Sequence, residues 1–117
     1  MRFVILMILT MMASAVTAQQ NPQAPPSGNA ENGKKIFTAY GCYQCHNYAA
    51  NGGGAGPRLA PRPIAFPAFT RAIRTPRDEM PPYSLKMVTD QELADIYAYL
   101  LTFPAPPAVD SIPALRQ

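Results

Sequence analysis

The chain has 117 residues, with ten Lys and Arg against seven Asp and Glu, two cysteines, one histidine and no tryptophan. That length holds one small domain, and a balance so near neutral gives no case for nucleic-acid binding. One histidine and two cysteines also exclude a four-coordinate zinc centre made of Cys and His alone.

Residues 1–18 read as a signal peptide. Arg2 is a one-residue positive start, residues 3–15 are apolar, and Val16-Thr17-Ala18 ends in a small residue of the kind a signal peptidase prefers. Cleavage after Ala18 is the preferred reading, with Ala15 as the alternative. An uncleaved membrane anchor is the rival, but the apolar run is shorter than the roughly 20 residues a spanning helix needs. No later segment is apolar enough to span. Loss of Arg2 leaves nine basic residues against seven acidic ones. Residues 19–28, QQNPQAPPSG, are polar and proline-rich and read as a disordered leader.

The folded domain is expected over residues 29–103. Asn29 caps a first helix over 30–40, with Glu31 in its first turn. Gly33, Ile36, Phe37 and Tyr40 fall at helical spacing and form one apolar face, and Gly41 ends the helix. Cys42-Tyr43-Gln44-Cys45-His46 follows at once. Residues 47–66 read as loop, because Gly52, Gly53, Gly54 and Gly56 free the backbone while Pro57, Pro61 and Pro63 forbid regular pairing. Pro67 opens a short helix over 67–74. Phe69 and Ile73 should face inward from it, Arg71 and Arg74 outward, and Pro76 ends it.

A second loop over 77–88 carries Met80-Pro81-Pro82-Tyr83. Thr89-Asp90-Gln91-Glu92 then spells a capping box. The apolar stripe after it, Leu93, Ile96, Tyr97, Leu100 and Leu101, predicts an amphipathic helix that stops before Pro104. Residues 104–117 hold four prolines and read as an extended tail. Nothing alternates as a strand would, so the fold class is all-α.

The five residues 42–46 carry the chemistry. C-x-x-C-H is the spelling for covalent haem attachment. Two thiols a helical turn apart can each add to a haem vinyl group, and His46 then supplies the proximal iron ligand. Three other uses of the motif compete. A zinc ion would be short of a ligand unless an Asp, Glu or water supplied the fourth. A thioredoxin-like pair would need βαβ surroundings. A structural disulfide suits an exported protein but leaves the adjacent histidine unexplained. Export itself fits haem attachment, which requires a delivery apparatus outside the bacterial cytoplasm. A domain of about 75 residues is marginal without a staple, so one covalent haem c would serve folding as well as function.

The sixth iron ligand follows partly by elimination. No second histidine exists, and both cysteines are committed. Met1, Met7, Met11 and Met12 leave with the signal segment, so Met80 and Met87 remain. Met80 is preferred because Pro81 and Pro82 stiffen its loop. Met87, an open iron or a Lys-ligated iron are the alternatives. Arg58, Arg62, Arg71, Arg74, Arg77 and Lys86 lie in the segment after the motif, residues 47–88, where the only acids are Asp78 and Glu79. They form either an ordinary solvated face or a basic rim that steers an acidic partner or pairs with haem propionates.

These features together resemble the class I c-type cytochromes, in their small bacterial monohaem form. The resemblance rests on C-x-x-C-H at 42–46, Gly56-Pro57-x-Leu59, Met80-Pro81 in a later loop and an aromatic amphipathic last helix. It implies three to four helices wrapped around one haem, with the first and last helices crossing at Gly33, Phe37 and Tyr97. It also implies that the Pro57 carbonyl takes the His46 ring N–H, and that Leu59, Arg58 and Tyr83 belong to the haem pocket. The family often holds the propionates with a tryptophan; here Arg58, Arg62 or a tyrosine would substitute. The resemblance implies a periplasmic one-electron carrier with His46 and Met80 on the iron, exchanging electrons with redox-protein donors and acceptors, and no enzyme chemistry. Two alternatives stand: a dedicated cytochrome subunit of a periplasmic dehydrogenase complex, and a haem sensor or enzyme with an open distal side.

Overall fold

The computed structural model describes residues 24–115. The signal segment and the first residues of the leader lie outside them. Asn29 starts helix α1 (Ala30–Ala39) as the local signals predict. Its backbone is extended, and its side chain accepts from the Asn32 N–H. Gly33, Ile36 and Phe37 are the face that α1 buries. Tyr40 closes the helix, and Gly41 takes a left-handed φ of 73° that turns the chain straight into α2 (Cys42–His46). Helix α3 (Phe66–Arg74) has Pro67 in its first turn, where a missing N–H costs nothing. Helix α4 (Asp90–Leu101) starts with both halves of the capping box formed between Thr89 and Glu92. Two short 3-10 turns, Val109–Ser111 and Pro113–Leu115, interrupt the otherwise irregular tail. No strand occurs among the described residues, so the class is all-α. No described helix is long and apolar enough to cross a membrane.

The architecture is α1 crossed on α4, with α3 packed against the other side of α4. At the crossing the backbones nearly touch. A Cβ on Gly33 would sit 1.9 Å from the Asp95 carbonyl oxygen, so only glycine fits there. One helical step further on both helices, Phe37 meets Tyr99 with ring centroids 5.7 Å apart. The expected partner was Tyr97, and the geometry of α4 shows why it is not. Residue 99 lies about 40° around the helix from residue 95, whereas residue 97 lies about 200° away. Tyr97 therefore points to α3, edge-on to Phe66 and Phe69 at 5.2 and 5.3 Å, and its hydroxyl donates to the Ile64 carbonyl. Leu101 also departs from the expected stripe. It is 53% exposed, while Leu93 and Leu100 are fully buried.

The crossing is sealed at its open end by a charge that periodicity gave no reason to notice. Asp95 is only 5% exposed. It accepts from the Asn29 N–H at 2.8 Å, from Asn32 Nδ2 at 2.7 Å and from Gln91 Nε2 at 3.0 Å. Burial works against its charge, but these three bonds outweigh that and hold its pKa below the ordinary aspartate value. Gln91 donates as well to the Ser27 carbonyl, and Gly28 lies so close to α4 that a Cβ there would meet the Ala94 carbonyl oxygen.

Arg74 is the other correction. It was expected to face solvent beside Arg71, yet its side chain is 17% exposed. Its two terminal nitrogens donate to the Tyr83 carbonyl at 2.9 Å and to Asp90 Oδ1 at 2.8 Å. The loop after α3 folds back on the helix, with the Tyr83 N–H donating to the Ile73 carbonyl at 3.1 Å, and this brings a carbonyl within reach of the guanidinium.

Candidate functional site

Helix α2 is a single turn bounded by two residues of positive φ, Gly41 and Asn47. One turn puts Cys42 and Cys45 on the same side, three residues apart. Both are free thiols; Cys42 is half-buried and Cys45 exposed. Burial pushes the Cys42 thiol pKa up, its backbone N–H bond pulls it down, and the neighbouring Cys45 adds a further rise.

His46 ends the turn and is 6% exposed. Its Nδ1 lies 2.8 Å from the Pro57 carbonyl oxygen. A carbonyl can only accept, so Nδ1 carries the proton and Nε2 keeps the lone pair that binds metal. The intervening loop is folded to make this contact. Gly52 N–H donates to the His46 carbonyl at 3.1 Å, and Gly56 N–H to the Cys45 carbonyl at 3.0 Å. A Cβ on Gly56 would lie 2.6 Å from the imidazole. Gly56 is thus the floor under the ring, a packing role beyond the backbone freedom and the Gly56-Pro57-x-Leu59 motif legible in the sequence. Ala50 completes the fold of the loop, its carbonyl accepting from both the Leu59 and Ala60 N–H groups.

The other candidates are placed as follows. Leu59 is half-buried and packs against the apolar core. Tyr83 is half-buried; its hydroxyl donates to the Tyr40 carbonyl at 3.1 Å, and the two rings meet edge-on. Burial raises the Tyr83 pKa, and the charges of Cys42 and then Cys45 raise it further. Met80 is half-buried, whereas Met87 is 49% exposed. Arg58, Arg62, Arg71, Arg77 and Lys86 are all exposed, so of the six basic residues Arg74 alone is withdrawn into structure.

Two free thiols a turn apart, beside a buried imidazole whose Nε2 is left to a metal, are a donor set that fits covalent haem. On α3, Thr70 stands out. Its Oγ1 is buried without any hydrogen-bond partner. It lies on the α3 face that also bears Phe66 and Ile73, where an orphaned hydroxyl costs about 1–3 kcal/mol unless a bound group satisfies it. Sequence reasoning passed over it, because an isolated threonine carries no pattern.

A family model described as cytochrome C oxidase, cbb3-type, subunit III matches residues 28–100. The chain belongs to this family of c-type cytochrome domains. The match runs from the glycine packed on α4 to the last buried leucine, and so takes in the whole crossing and every candidate site residue. Comparison with curated proteins and with solved structures gives no match. The cytochrome domain binds haem c covalently, with Cys42, Cys45 and His46 as its C-x-x-C-H motif, and its chemistry is haem-based electron transfer.

Proposed function

We propose that this cytochrome is a periplasmic one-electron carrier with His46 as the proximal and Met80 as the distal iron ligand. The observation that carries the reading is the Nδ1–Pro57 bond of a buried His46. It fixes the tautomer and orientation of the imidazole and leaves the Nε2 lone pair free to bind iron. Cys42 and Cys45 hold the cofactor to α2. Met80 supports the distal role by its half-buried place in a proline-braced loop. The haem, when bound, supplies the ferric/ferrous couple, whose potential a neutral methionine sulfur raises by favouring the ferrous form. Arg58, Arg62, Arg71, Arg77 and Lys86 offer an exposed positive surface to an acidic redox partner. Export to the periplasm agrees with the apolar start of the chain and with the typical location of c-type cytochromes.

A second reading is a dedicated cytochrome subunit of an oxidoreductase complex, a dehydrogenase or an oxidase. The family description, an oxidase subunit, favours it. Co-purification with a large partner would select this reading. A free shuttle would lose its rate steeply with added salt.

The experiment is the optical spectrum of the exported holoprotein and two variants. The wild type should show covalent haem with a far-red sulfur-to-ferric-iron band and no carbon monoxide adduct at neutral pH. Met80→Ala should abolish the band and lower the potential, and Met87→Ala should leave both. The reverse pattern would move the ligand to Met87. A wild type without the band that binds carbon monoxide would replace the carrier by a sensor or enzyme.

A further inference from the structure

Among the described residues Met80 itself makes no anchoring hydrogen bond in the loop between α3 and α4, so the loop is held elsewhere. The residue that holds it is Tyr83, three positions on. Its N–H donates to the Ile73 carbonyl, its carbonyl accepts from Arg74 Nη1, and its hydroxyl donates to the Tyr40 carbonyl. Between Met80 and this anchor stand Pro81 and Pro82, whose φ angles are fixed by their rings. Placement of Tyr83 is therefore transmitted to Met80 with few free torsions in between.

Arg74 is the only charged side chain in this anchor. It is the last residue of α3 and Asp90 is the first of α4, so one guanidinium joins the two helix ends across sixteen positions while also holding the Tyr83 carbonyl. Each charge sits at the end of its helix where the dipole favours it. The planar fork can donate to both acceptors at once, which a lysine ammonium on a flexible stem does less well. The Arg74 side chain is 17% exposed but that of Asp90 is 70% exposed, so salt and solvent screen the ion pair, and the part-buried bond to the Tyr83 carbonyl is the sheltered half of the clamp.

We infer that Arg74 is a positioning residue for the distal ligand: by clamping Tyr83 and Asp90 together it keeps the Met80 loop closed and so resists displacement of Met80 by an outside ligand. The inference rests on the proposal that Met80 is that ligand, and the test separates the two. Imidazole is titrated into the ferric holoprotein, with the far-red band followed in parallel. Met80→Ala serves as the reference for a vacated position. If it keeps the band and the wild-type imidazole affinity, the ligand assignment fails. If it loses the band and gains affinity, the clamp can be judged.

Arg74→Ala should then raise imidazole affinity about tenfold, as expected when the open fraction of the loop rises tenfold, with covalent haem and helicity retained. An affinity equal to wild type overturns the clamp. Should Arg74→Ala fail to fold, Arg74→Lys and Asp90→Asn take its place, each expected to show a smaller rise, and no rise in either overturns the inference equally. Gly33→Ala is the control for mere loss of stability, since it acts at the α1–α4 crossing. If it raises imidazole affinity as much as Arg74→Ala, the clamp has no special role and the inference falls.

Discussion

Gly33→Ala sets two well-known effects against each other, and the structure decides the sign. On helix propensity alone, alanine in place of an interior glycine stabilises by about 1 kcal/mol. At this position the new methyl would lie 1.9 Å from the Asp95 carbonyl oxygen, 2.4 Å from its carbon and 2.8 Å from the Ile96 nitrogen. Ordinary contact begins near 3.4 Å. The obstacle is backbone, so no side chain can swing aside, and the two helices must part locally by roughly 1.5 Å to restore that contact distance. Such a shift also stretches the Phe37–Tyr99 contact and the bonds from Asn29 and Asn32 to Asp95. Overpacking of this kind costs typically about 1–3 kcal/mol and sometimes more, and weakened bonds to a buried carboxylate add to it. The net expectation is a loss of about 2–4 kcal/mol. In a domain this small that lowers the melting temperature by roughly 10 °C or more. Guanidinium unfolding of the holoprotein, followed by circular dichroism, measures it directly. A variant as stable as wild type, or more stable, would refute the claim that the crossing is closed to a methyl group.

Two further variants probe the carboxylate and the ring floor. Asp95→Ala should destabilise by about 2–4 kcal/mol, since it strands three donors at a charged acceptor site. Because the folded pKa of Asp95 is depressed, its contribution is present at neutral pH and lost as pH falls through the folded value. Wild type should therefore lose stability below about pH 4, and Asp95→Asn should flatten that limb. A pH-stability curve with equal acid limbs for both proteins would contradict this. Gly56→Ala should drive the imidazole of His46 off its bond to Pro57. The visible and electron-paramagnetic spectra of its ferric form should then show a weakened or high-spin proximal bond with the thioethers intact. An unaltered low-spin spectrum would mean that the ring has room to spare.

What was legible in the sequence was local. The Asn29 cap, the Thr89–Glu92 box, Pro67 in the first turn of α3 and the C-x-x-C-H turn all involve residues within four positions of each other. Their partners were in view, and each element starts within a residue of its expected place. The features that were misread or missed depend on partners far along the chain. Asp95 is meaningful only once Asn29 and Asn32 arrive beside it, and Arg74 only once Tyr83 folds back. Tyr97 and Tyr99 are both aromatic positions of one helix, and periodicity cannot say which of two neighbouring helices each one will meet. Gly56 could be read as a hinge from composition, but the imidazole against it is ten positions away.

The bond from the Asn29 N–H to Asp95 spans 66 positions, and this has a temporal meaning. Helix α1 has no surface to rest on until α4 has been synthesised, so the crossing must wait for nearly the whole domain. Until then the turn that bears Cys42 and Cys45, which follows α1 directly, lacks the support of that crossing. A protein whose first and last helices complete each other thereby folds its attachment turn against a finished crossing only at the end of synthesis.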